Sequence, residues 1–142
     1  MPSIYILDVT NRDGVQTARI SLSKLQKTML NMYLNEMGVF WSEAGFPFVG
    51  HEQRYLNANI ALVERGVLKP MVIAGWCRAV AGDVETSLRT TGVRHFNLSL
   101  STSEIMTQGK FQGRKSREDL IPQMTAALTA AKAGGARGVG IN

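Results

Sequence analysis

The sequence has a single cysteine, Cys77, in 142 residues. No internal disulfide can form, and a reduced, cytoplasmic setting is the expectation. Histidine is almost as scarce. His51 and His95 are the only two, they lie far apart, and they share no zinc-like spacing with Cys77. No apolar run approaches the ~20 residues that cross a bilayer, so no membrane partner is expected. Met1 to Leu7 is too short for a signal peptide and lacks a basic start. No GxGxxG follows the first apolar segment and no GxxxxGK[ST] occurs anywhere, which argues against a Rossmann dinucleotide site and a P-loop. Linkers, low-complexity tracts and close repeats are missing too.

The chain is 44% hydrophobic and 19% charged, as a globular protein is, and residues 1–142 read as one domain. A net charge of +5 and a pI near 9.7 favour anionic partners. The densest basic group is Lys110, Arg114, Lys115 and Arg117, with Phe111 as its one aromatic. A nucleic-acid surface would interleave more aromatics with the cations, so no nucleic-acid partner is expected.

A pattern repeats along the chain. Apolar strand-like segments occupy Ser3 to Val9, Val39 to Ala44, Pro70 to Gly75, Val93 to Leu100 and Arg137 to Asn142. Helical periodicity lies between them. It covers Ser21 to Met37 (stripe Leu22, Leu25, Met29, Leu30, Tyr33, Leu34, Met37), His51 to Arg65, Asp83 to Thr91 and Ser116 to Ala133. Gly38, Gly66, Gly92 and Gly134-Gly135 stop the helices. Ser116 with Asp119 suggests a capping box. These are four βα units and the start of a fifth. The fold class is therefore α/β with a parallel sheet.

Parallel α/β folds place their chemistry after the C-terminal ends of the strands. Four segments qualify: Asn11 to Gln16, Glu43 to Pro47, Trp76 to Arg78 and Ser99 to Ser103. Asp13 at a strand end can ligate a hard divalent cation. Arg12 beside it can stabilise a developing oxyanion. A plain Asn-Arg-Asp-Gly surface turn is the alternative. Glu43 sits among Trp41, Ala44 and Phe46, and a carboxylate in such company needs a cation. Arg12 on the neighbouring strand end is the candidate. Arg78 can bind a carboxylate bidentately or serve as a surface residue at a helix start. Ser99, Ser101, Thr102 and Ser103 can bind substrate or cap the next turn. His95 is read as structural, His51 as an exposed cap-region residue, and Cys77 as a loop residue without chemistry.

ILDVTNRDGVQ followed by SEAGFP, with GFPFVGHEQRYLNAN, GWCRA and LSLSTSEIMTQGKF, resembles the Claisen-condensing acyl-CoA enzymes of the DRE-TIM metallolyase superfamily. Homocitrate, isopropylmalate, citramalate and Re-type citrate synthases belong there, with hydroxymethylglutaryl-CoA lyase as a cousin. The homocitrate synthase-like branch looks most similar, and the resemblance covers essentially the whole chain. It implies a TIM-type barrel, a divalent metal ion (Mg, Mn or Zn), acetyl-CoA and a 2-oxo acid. Residue by residue it implies Asp13 as metal ligand, Arg12 as the catalytic group that polarises the ketone and stabilises the alkoxide, and Glu43 as the catalytic partner that pairs with Arg12 and touches substrate. Gln16 would lie near metal and substrate, and Asp8 would orient the loop. Arg78 argues weakly for a substrate with a second carboxylate, 2-oxoglutarate or oxaloacetate, with 2-oxoglutarate favoured.

The sequence also departs from the family pattern. A TIM barrel takes eight units in roughly 250 residues, and the H-x-H pair that completes the family's metal site does not occur here. The expectation is a partial barrel that is inactive alone and needs a C-terminal half chain or a homo-oligomer. A non-catalytic remnant or interaction subunit is the alternative.

Overall fold

A computed structural model describes residues 3–142. Five strands form one parallel sheet in the order β1-β2-β3-β4-β5. They are β1 (Leu7–Asp8), β2 (Trp41–Gly45), β3 (Val72–Arg78), β4 (His95–Ser99) and β5 (Gly138–Ile141). The helices are α1 (Lys24–Glu36), α2 (Gly50–Glu64), α3 (Ala81–Thr90), α4 (Glu104–Phe111) and α5 (Arg117–Ala133). Each strand pairs with the next in sequence, and the sheet curls into a half-barrel with helices outside. Among these residues no helix is long and apolar enough to cross a membrane.

The expected alternation of strands and helices holds, with four local differences. The first strand, at one edge of the sheet, pairs with β2 over only two residues, Leu7 and Asp8. β3 runs on to Arg78, so Trp76, Cys77 and Arg78 are strand residues and not a loop. Their ladder to Asn97, Leu98 and Ser99 of β4 extends the strand. Cys77 is consequently buried, 3.3 Å from Ser87 Oγ, and burial pushes its thiol up to about 12. Residues 104–111, to which the sequence pattern assigns no element, form α4, started by Ser103 accepting from Met106 N–H.

The fourth difference lies in α1. An apolar stripe at helical spacing ordinarily faces a core. Here Lys27, Asn31 and Leu34 face inward, while Leu25, Met29, Tyr33 and Met37 are exposed. The helix begins at a Ser23–Gln26 capping box and stops before Gly38, whose φ is +82°. The Ser116–Asp119 box at α5 forms as the sequence suggests.

The main core lies between sheet and helices. Ile73, Phe96, Leu98 and Cys77 point outward from the sheet and meet Leu56, Val84 and Ala127. In-register neighbours of a parallel sheet share a face. Glu43 pairs with Ala74, Trp76 with Asn97, Arg78 with Ser99, and Asn97 with Gly140. These residues line the inner side of the curl. A bulge between Glu43 and Gly45 turns Gly45 to the helix side, where a Cβ would strike Glu52 Oε2.

Candidate active site

The loop after β1 is wound tightly by its own backbone. Val9 O accepts from the amides of Arg12 (3.1 Å), Asp13 (2.8 Å) and Gly14 (3.3 Å). Asp8 fixes the entry, accepting from Thr10 N–H at 3.0 Å and Thr10 Oγ1 at 2.9 Å. A short 3-10 turn, Gly14–Gln16, carries the chain away.

Arg12 and Asp13 therefore stand at the C-terminal rim of the sheet. Arg12 Nε donates to Glu43 Oε1, and Arg12 Nη1 donates to Asp13 Oδ1 at 2.7 Å. The guanidinium carbon lies 5.6 Å from the centre of the Trp76 ring. Glu43 is 1% exposed. A carboxylate so deep is tolerable only when paired and hydrogen-bonded. Its second oxygen, Oε2, accepts from Asn97 Nδ2. Both Glu43 oxygens are thus engaged, which makes it a holder of Arg12. The Nη2 end of Arg12 makes no hydrogen bond among the described residues and is left for a ligand.

Asn97 was missed by the reading of the sequence. It sits mid-strand in HFNLS, and only the register with Trp76 and Gly140 reveals that it faces inward. A Cβ at Gly140 would lie 2.8 Å from Asn97 Oδ1, so the glycine leaves room for that side chain. An alternation rule applied to β4 would have put Asn97 on the polar face, but not beside Glu43.

The other expected site residues are spread along the same rim. Gln16 is exposed in the 3-10 turn. Arg78 ends β3, and its Nε and Nη2 bind Asp83 at 2.6 and 2.9 Å while the guanidinium covers Phe48 at 5.4 Å. Asp83 holds the Arg78 pKa above its usual value. Ser101 follows β4 and accepts from Lys110 Nζ at 3.3 Å. Arg12, Asp13, Glu43 and Asn97 form a bonded group; none of these contacts joins Gln16, Arg78 or Ser101 to it. His51 is exposed and His95 begins β4 against Trp41, ring centres 5.5 Å apart.

The fit to a divalent cation is partial. Asp13 offers a carboxylate that is 60% exposed, with one oxygen on Arg12. Among the described residues no three His, Cys, Asp or Glu side chains converge on one point. Asp13 can supply one hard oxygen ligand; the described residues do not make a whole centre.

Several known proteins are similar to this chain over most of its length. A citrate (Re)-synthase of Dehalococcoides mccartyi (strain CBDB1) is 54% identical over 143 residues, covering 100% of this chain and 34% of that protein. A 2-isopropylmalate synthase 2 of Caldanaerobacter subterraneus subsp. tengcongensis is 36% identical, covering 91% of this chain and 32% of its own length. The 2-isopropylmalate synthase of Xanthomonas axonopodis pv. citri is 33% identical, covering 92% and 25%. The chain thus spans about a third or less of the curated relatives it matches. The HMGL-like family pattern matches residues 3–139, nearly the whole sequence, and the chain belongs to that family, the DRE-TIM metallolyases.

Proposed function

We propose that the intact protein condenses acetyl-CoA with a 2-oxo acid, and that the acid is oxaloacetate. The observation that carries the reaction class is the Arg12 guanidinium, fixed by buried Glu43 with its Nη2 end free at the rim. A planar cation held this way is suited to the ketone oxygen as it gains charge. The acetyl methyl group loses a proton, the carbon nucleophile adds to the ketone carbon, and water cleaves the thioester to release CoA thiol. A divalent cation, when bound, supplies Lewis-acid polarisation of the same ketone. Asp13 would give it one oxygen, and Gln16 would lie beside it.

Oxaloacetate is preferred to the 2-oxoglutarate favoured from the sequence because citrate is what acetyl-CoA and oxaloacetate yield, and the 54% identical relative is a citrate (Re)-synthase. Arg78 retains a role here. Asp83 occupies its Nε–Nη2 edge and leaves the Nη1 edge for a second substrate carboxylate. Ser101 would border that substrate. The partner in this reading is polypeptide that supplies further βα units. It would cover the unpaired edge of β1 and the bare apolar face of α1. A reduced, cytoplasmic compartment fits the single cysteine.

The test is CoA-thiol release by the intact protein given acetyl-CoA and, in parallel, oxaloacetate, 2-oxoglutarate or 2-oxoisovalerate. Thiol release is expected with oxaloacetate at the highest kcat/KM. Arg12→Ala should lower kcat about 10²–10³-fold. Unchanged turnover in that variant overturns the role of Arg12, and a higher kcat/KM with another acid overturns the substrate.

A further inference from the structure

Behind the Arg12–Glu43 pair lies a second, fully buried polar group. Asn31 of α1 is at its centre, with Asn11, Ser42 and Asn59, all 0% exposed. Asn31 Oδ1 accepts from Asn11 Nδ2 at 2.8 Å and from Ser42 Oγ at 2.8 Å. Its Nδ2 donates to Tyr55 OH at 3.2 Å and to Asn59 Oδ1 at 2.9 Å. The amide thus uses both donors and both acceptor sites. Asn59 is itself anchored, donating to Thr28 Oγ1 and Tyr55 O at 3.0 Å each.

The order of residues gives this group its meaning. Asn11 immediately precedes Arg12, and Ser42 immediately precedes Glu43. Ser42 points to the helices while Glu43 points to the inner side of the curl. One oxygen atom of α1 therefore ties together, from behind, the two backbone segments whose next side chains form the site. The β1–β2 ladder does little of this by itself, since only Leu7 and Asp8 pair with β2.

We propose that Asn31 is a positioning residue, whose buried amide sets the relative placement of Arg12 and Glu43. A buried hydrogen-bond network adds little net stability over apolar packing of the same shape. What it adds is direction. Hydrogen bonds weaken steeply with angle and distance, whereas apolar contacts are non-directional. A catalytic group must be held to within about 0.5 Å of its working place. The proposal rests on the condensation reading for its effect on rate, but its structural content can be read without substrate.

The experiment uses the intact protein with ¹⁵N in its arginine side chains. The Arg12 Nε–H resonance is identified by its loss in Arg12→Lys. Asn31→Leu keeps the volume and removes the amide; Ser42→Ala removes one arm; Tyr55→Phe removes an anchor on the far side. Asn31→Leu and Ser42→Ala are expected to shift or broaden the Arg12 resonance. They should also lower kcat by about 10-fold or more with KM within about twofold. Tyr55→Phe should lower the thermal midpoint and leave that resonance in place. If Asn31→Leu does not fold, Ser42→Ala decides. An unmoved Arg12 resonance in the folded variants overturns the proposal. A moved resonance in a protein that releases no CoA from any 2-oxo acid supports the positioning role and sinks the condensation reading instead.

Discussion

The two faces of α1 differ in chemistry: the inward face mixes buried Lys27 and Asn31 with Leu34, and the outward face exposes large apolar side chains. Toward the sheet lie Lys27 and Asn31, buried among Glu52, Asn59 and Tyr55. Toward solvent lie Leu25 at 70% exposure, Tyr33 at 56% and Met37 at 77%. The inner side chains are satisfied. Lys27 Nζ binds Glu52 at 3.0 Å and sits 4.5 Å from the Tyr55 ring centre, and Asn31 makes its four hydrogen bonds. Polar groups paired this well can be buried at little net cost. The outer side chains form a contiguous apolar surface with no cover among the described residues, the kind that marks contact with more protein. Apolar residues at helical spacing therefore do not by themselves say which face of a helix meets the core.

The inner region should break hardest at Arg12. Removing it leaves Glu43 as a buried carboxylate without its cation. Arg12→Ala is expected to cost about 3–5 kcal/mol in urea unfolding. Adding Glu43→Gln should recover most of that stability without recovering activity. A single variant as stable as wild type would mean the pair is solvated and the contrast with the outer face is overstated. Asn97→Leu should cost less, about 1–3 kcal/mol, toward the upper end because the acceptor left unpaired is charged. The same unfolding measurement ranks the two.

The strands, the helix stops and the Arg12–Glu43 pair are legible in the sequence for a physical reason. Strand ends, glycine stops and a carboxylate in apolar company are local signals. Asn97 and Asn31 were not legible. Their roles depend on which way a strand or helix faces, and that is decided by register across Trp76, Asn97 and Gly140, and by Ser42 meeting α1. The stripe on α1 was found correctly, but periodicity alone does not say which neighbour a stripe meets. β3 was cut short at Gly75 because Gly-Trp-Cys-Arg reads as a loop until its ladder with β4 is seen.

The outer face gives the next test. If further βα units cover α1 in the intact protein, Met29→Ser should cost about 1–2 kcal/mol from lost apolar burial. A cost below about 0.5 kcal/mol would leave the face bare and remove the argument for a covering partner. Ser23→Ala, which opens the capping box without touching either face, should cost about 1 kcal/mol by the same unfolding assay. It calibrates how much of the helix depends on its ends.

The smallest effect concerns a polar group on the inner sheet side that, unlike Asn31, has no partner. His95 Nδ1 is buried without a hydrogen bond, and a Cβ at Gly138 would sit 2.7 Å from it. Burial first, and Arg137 second, hold the His95 pKa below its usual 6.5. Just below pH 6.5 the unfolded chain therefore binds a proton that the folded chain refuses. Stability should fall as the pH drops through that window, because the unfolded state binds more protons there. In His95→Phe the ring is kept and the titration removed. Urea midpoints at pH 7 and pH 5.5 should then show a smaller acid loss in the variant than in wild type. Equal losses would mean that His95 takes up its proton in the fold as readily as in the open chain, with an acceptor for Nδ1–H at hand. One polar group fewer on the inner side would then lack a partner, with Trp41 Nε1 still unpaired among the described residues.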